Sequence, residues 1–127
     1  MTGQEIFEIA LDLCGLRKED SGLPNDISDL QQRALSLLNI TLSEISILDS
    51  KIKKTDHKVL MIKDLEEEVL CSDILAHYVI PLGMATLMML GEDDALAADL
   101  NKLYVDARDD ALRFGRAKVH QITEVYE

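Results

Sequence analysis

Residues 72 to 94 read SDILAHYVIPLGMATLMMLGEDD, and from Ile74 to Leu90 no side chain carries a formal charge. Leu75, Tyr78, Val79, Leu82, Ala85 and Met89 recur at helical spacing, while Ile74, Ile80, Met84, Leu87 and Met88 cover the other sides. A helix that is apolar all round belongs in a protein interior or a membrane. At ~1.5 Å per residue the uncharged run reaches about 25 Å, short of the roughly 30 Å of a bilayer core. It also contains His77, Pro81 and Gly83 and lacks basic or aromatic flanks. The stretch is therefore expected to form the buried centre of a helical protein. Pro81 cannot donate an N–H to the carbonyl of His77, so the helix must bend there or begin again with Pro81 in its first turn. Gly91 is a natural left-handed stop. His77, set among apolar neighbours, is expected to be a satisfied core histidine.

The rest of the chain supplies what packs around this centre. In 127 residues, 47% are hydrophobic, with six glycines, two prolines, no tryptophan and 4% aromatics. That is enough for one core and one domain, 1–127, and the composition favours helix. Upstream, Thr2-Gly3-Gln4-Glu5 fits a capping box, followed by Ile6, Phe7, Ala10, Leu13 and Cys14 on one face and closed by Gly15. Residues 16–26 (LRKEDSGLPND) read as a loop ending in an N-cap. A second helix is expected from about Asp26 to Asp49, its stripe marked by Ile27, Leu30, Ala34, Leu38, Thr41, Ile45 and Leu48.

The opposite stripe of that helix is Gln32, Ser36, Asn39, Ser43, Ser46 and Ser50, nearly all short and uncharged. Two readings stand: an ordinary exposed face, or a contact between subunits, where charge is depleted. Residues 51–72 are expected to be a flexible loop. It opens with the only basic cluster, Lys51, Lys53, Lys54 and Lys58, diluted by Asp49 and Asp56, which reads as a solvated loop or as a phosphate contact. Val59 to Ile62 is a short apolar run of strand character. Downstream of the central helix, Glu92-Asp93-Asp94 opens a fourth helix to about Phe114, burying Leu96, Leu100, Leu103, Tyr104, Ala107, Ala111 and Phe114. Asp109 and Arg113 are placed for an i,i+4 pair. From 118 to 127 the strand formers Val119, Ile122, Thr123, Val125 and Tyr126 predict a C-terminal strand at about 119–126, pairing with 59–62 or with a neighbouring chain. The fold class is thus mainly α, a four-helix bundle-like domain with a kinked buried central helix and two short β segments.

Charge and chemistry narrow the function. Twenty-four acids against 13 bases leave a net charge of −11, which disfavours adhesion to nucleic acid. The excess is uneven: residues 31–71 hold seven acids and six bases, whereas 72–127 hold ten and five. Cys14 and Cys71 have no paired spacing and read as free thiols of a reducing compartment. The acidic N-terminal stretch does not resemble a signal peptide. His57, His77 and His120 are not spaced for zinc, and no glycine-rich phosphate loop or serine elbow occurs. Glu66-Glu67-Glu68 invites comparison with all-α nucleotide pyrophosphatases, whose Glu-Glu-x-x-Glu pattern shares a metal, but Leu70 and Cys71 stand where the later acid belongs. No catalytic, metal-ligating or cofactor-binding residue is expected.

The order of elements, and the stretches 10–15 (ALDLCG), 33–52 (RALSLLNITLSEISILDSKI), 78–108 (YVIPLGMATLMMLGEDDALAADLNKLYVDAR) and 122–127 (ITEVYE), resemble the head-tail connector proteins of tailed bacteriophages and prophages, also called head completion or adaptor proteins. The most telling part is the apolar helix, then Gly-Glu-Asp-Asp, then Leu96, Leu100, Tyr104 and Ala107 at helical spacing. The resemblance does not extend over 16–26 or 53–72. It implies a non-enzymatic virion subunit without cofactors that assembles into a ring, commonly dodecameric, beneath the portal protein. Its place would be the virion neck, and the host cytoplasm during assembly. There it would extend the DNA channel and offer the tail and other neck proteins a surface, with no membrane contact and no sequence-specific DNA binding. On that footing Ser36, Asn39, Ser43, Ser46, Ile122, Val125 and Tyr126 are candidate subunit contacts, and Lys51, Lys53, Lys54 and Lys58 a candidate portal or lumen loop. The rival expectations are another neck or packaging component (tail completion or small terminase-like), a metal-dependent all-α nucleotide hydrolase, and an intracellular dimeric binding protein.

Overall fold

A computed structural model describes residues 1–16 and 28–125. Four α-helices, α1 (Gly3–Leu13), α2 (Ser28–Lys53), α3 (Ile80–Met89) and α4 (Asp94–Val125), pack around one core, and a π-helical turn, Leu75–Val79, leads directly into α3. The fold is all-α and bundle-like. The expected loop at 16–26 lies, apart from Leu16, outside the described residues, as does the N-cap at Asp26.

α3 is the axis of the bundle, as its composition requires. Ile80 through Thr86, Met88 and Met89 are all buried, with Ile80, Met84 and Met88 fully enclosed. Pro81 lies in the first turn of α3. The wider π turn before it absorbs the missing donor, and the Ile80 N–H reaches back to the carbonyl of Leu75. That widening also turns His77 and Tyr78 out to solvent, so His77 is not a core histidine. Gly91 has φ +85°, Asp93 accepts from the Leu96 N–H at 3.0 Å, and Asp94 accepts from the Gly91 N–H at 3.0 Å. Asp93 thus caps α4 and Asp94 braces the turn before it, while both charges suit the helix dipole.

Gly83 sets how closely the helices cross. A Cβ there would lie 2.7 Å from Cε1 of Tyr104 and 2.9 Å from Cγ2 of Thr41, so only glycine lets α2, α3 and α4 meet at this level. Ser72, just before the π turn, is held by Asp49 near the end of α2, whereas Gly83 lies against Thr41. α3 therefore runs antiparallel to α2. The α3–α4 corner at 90–94 consequently sits at the end of the bundle remote from Lys53.

No strand forms at 59–62; the only β pairing among the described residues is an isolated bridge between Thr2 and Glu68. The backbone of Ile62 is instead taken by a side chain: Asn39 donates Nδ2–H to its carbonyl at 2.8 Å and accepts its N–H at 2.9 Å. The expected flexible loop at 51–72 begins later, since α2 runs to Lys53, and besides a 3.5 Å bond from Lys53 Nζ to the Leu70 carbonyl it is fastened at three places. Asn39 holds Ile62, Asp49 holds Ser72, and the start of α1 holds 65–69. In the last, the Gly3 and Gln4 N–H groups, which no helical carbonyl can reach, donate to Glu67 and Leu65. The Thr2–Glu5 capping box forms as expected.

The C-terminal strand at 119–126 is also corrected: α4 continues helically through Val125, and Tyr126 lies outside the described residues. β-branched residues cost a helix only a few tenths of a kcal/mol each, whereas a lone strand without a partner leaves its backbone unpaired. Within α4, Leu103 and Phe114 are exposed, lying about 100° and 80° around the helix from the buried Tyr104 seam. Arg113 pairs with Asp110 rather than with Asp109.

Candidate functional site

The expected contact stripe on α2 divides once folded. Ser36 and Ser43 are exposed, Asn39 is committed to Ile62, and Ser46 is 1% exposed, its hydroxyl donating to the carbonyl of Ser43. Ser43 and Ser50 donate likewise to carbonyls one turn back, within α2. Ser46 therefore offers nothing to another chain. The surface of α2 is instead an arc in which Ile40 and Ile47, each 54% exposed, flank Ser43 and Glu44. Of the C-terminal candidates, the backbones at Ile122 and Val125 belong to α4.

Beside this arc, Glu44 ties α2 to α4. Its carboxylate accepts from the Tyr104 hydroxyl at 3.1 Å and lies 3.9 Å from Arg108, whose guanidinium sits 5.2 Å from the Tyr104 ring centroid. Burial, followed by the Glu44 charge, pushes the Tyr104 phenol up to about 12. The phenol is neutral near pH 7, and the constellation is a clasp between α2 and α4.

The four lysines also part company. Lys53 lies 3.2 Å from the buried Asp49, which holds Ser72 through its other oxygen. Lys51, Lys54 and Lys58 are exposed. Lys54 ends α2 in the left-handed region at φ 57°, and the Thr55 N–H closes the turn on the Ser50 carbonyl. Beyond it the chain doubles back beneath α2 and encloses an open cleft of about 820 Å³, walled by Lys53, Lys54 and Lys58 and by the apolar Val59, Met61 and Leu70. These three apolar side chains are 60%, 63% and 76% exposed. Residues 59–61 appear in the sequence only as a possible strand, and nothing there links them to Leu70.

Among the described residues no three His, Cys, Asp or Glu side chains group to hold a metal ion. Within the acidic triplet the Glu66 N–H donates to Asp64, Glu67 accepts the Lys63 N–H, and Glu68 lies 2.9 Å from the Met1 amino group. Cys14 and Cys71 are free, half-buried thiols, each pushed by burial up to about 11. Among the described residues no helix is long and apolar enough to cross a membrane. Comparison of the chain with protein-family models, with curated proteins and with solved structures finds no match.

Proposed function

We propose that this chain is a structural subunit of the neck of a tailed bacteriophage or prophage, a head-tail connector that assembles into a ring under the portal protein, extends the DNA channel and presents a surface to the tail. One observation carries the reading beyond the resemblance of the sequence: large apolar side chains stand exposed at several separate places, Ile40 and Ile47 on α2, Leu103 and Phe114 on α4, and the Val59–Met61–Leu70 wall. A protein that works by touching several neighbours at once needs contact surfaces of this kind. Electrostatics supports it too. Asp99, Asp106 and Asp109 are exposed along α4 and outnumber Lys102 on the same stretch; duplex phosphates would be repelled by such a face, letting a genome slide through a ring.

Native mass spectrometry over a wide concentration range, with negative-stain images of the large species, tests this function. A closed ring is the expected outcome. A compact dimer whose size is independent of concentration overturns it in favour of an intracellular binding protein.

A further inference from the structure

We infer that the cleft at the end of α2 receives the acidic α3–α4 corner of a second copy of this chain, so that subunits join head to tail. The inference rests on the ring-forming function proposed above only for the closure of the chain of contacts; the contact itself is argued from the two surfaces.

The first surface combines an aliphatic wall with a local surplus of positive charge. Residues 51–58 hold four lysines and one acid, Asp56, in a chain that is otherwise acidic. Of the four acids lining the cleft, Asp49 is engaged with Lys53 and Ser72, Glu67 with the Lys63 N–H and Glu68 with the Met1 amino group, which leaves Asp56 alone against Lys54 and Lys58. Lys54 and Lys58 are exposed and have no partner among the described residues. The second surface has the matching composition. Leu90, 57% exposed, projects at the corner beside Glu92, Asp93 and Asp94, all exposed. Its shape is set in advance, because Gly91 takes φ +85° and the Asp93 and Asp94 side chains are bonded to backbone N–H groups. The Glu92 carboxylate has no partner among the described residues, and its charge is free to meet Lys54 or Lys58.

Placement decides the occupant. The cleft and the corner lie at opposite ends of the bundle, so they cannot meet within one chain. Two complementary patches at different places on one molecule make a heterologous contact, which repeats into a ring or an open filament rather than stopping at a dimer. With a net charge of −11 two copies repel in general, and the lysine-bearing end is the place where an acidic partner gains by approach. Nucleic acid fits less well, since no aromatic ring lines the cleft for a base to stack on. The lysines are thereby assigned to the neighbouring subunit.

Two measurements test the contact. Glu92→Lys, and separately Lys54→Glu with Lys58→Glu, should each weaken self-association by on the order of tenfold at low salt, and combining all three should restore much of it. Leu90→Cys with Met61→Cys should give, on mild oxidation, a ladder of dimers, trimers and longer species, with the 61–90 linkage identified by peptide mass spectrometry. Rings with no 61–90 linkage and no charge-swap rescue overturn this contact and leave the connector function standing. A 61–90 ladder from a protein that never closes into rings supports the contact and overturns the function. Absence of both overturns both.

Discussion

Gly83 is the residue on which the crossing of three helices depends. The rigid Tyr104 ring and the β-branched Thr41 stand 2.7 Å and 2.9 Å from where a Cβ would be. Overpacking of this kind costs about 1–3 kcal/mol, of which the better helix propensity of alanine returns up to about 1 kcal/mol. Gly83→Ala is therefore expected to destabilise the protein by about 1–2 kcal/mol in urea titration, although alanine is the better helix former. Asn39 is the counterpart for the loop. Asn39→Ala removes both bonds to Ile62 and leaves two partly buried backbone groups unpaired, at a cost of about 1–3 kcal/mol. Faster amide exchange confined to 59–63 and its neighbours would mark the loss as local. In the sequence Asn39 is one of a row of small polar residues, and its real partner stands 23 positions away. Only folding brings the two together.

At the level of elements, α1 carries its own start signal, and its chemistry predicts a pH dependence. The backbone N–H of Thr2, followed by its side chain, holds the Glu5 carboxyl below its usual value of 4.5. A carboxylate with a depressed folded pKa adds stability that is present above the unfolded pKa and lost as pH falls through the folded one. Glu5→Gln keeps an acceptor for the Thr2 N–H but no longer titrates. The variant should lose less stability than the wild type as pH falls below about 4.5, measured by thermal melts across acid pH. α4 offers a second test. If 115–125 is helix as observed, Gly115→Ala should stabilise that part by about 0.5–1 kcal/mol and slow amide exchange at 116–125. A C-terminal strand would show no such gain. The strand formers at 119–126 pointed the other way because propensity is a weak preference, and a neighbouring helix already in progress overrides it.

For the whole molecule, the thiols and the net charge report on the fold together. Burial pushes Cys14 and Cys71 from 9.0 up to about 11. At pH 8 their thiolate fraction is then about 100-fold below that of an unfolded thiol. Alkylation should slow by that factor in the native protein and recover in denaturant. As raised pKa values, they contribute stability that is complete below pH 9 and lost as pH rises toward 11. The charge of −11 has two opposite consequences. Added salt screens self-repulsion and should raise the melting temperature of the monomer, while it weakens a head-to-tail contact that joins lysines to acids. Parallel melting and sedimentation runs at low and high salt should show the two trends diverge.

The sequence alone determined the helical class, the buried central helix with an interruption at Pro81, the capping box of α1, the stop at Gly91 and the acidic start of α4. Each depends on residues within a turn or two of one another, where periodicity and hydrogen-bond chemistry act without reference to the rest of the chain. Tertiary structure alone decided that Gly83 is a crossing point, that Asn39 and Asp49 fasten the long connection, that Leu103 and Phe114 face outward, and that Val59, Met61 and Leu70 share one cleft with the lysines. Those facts depend on which distant segments come to rest against each other, and a helical or strand-like pattern carries no information about the angle at which its neighbour arrives.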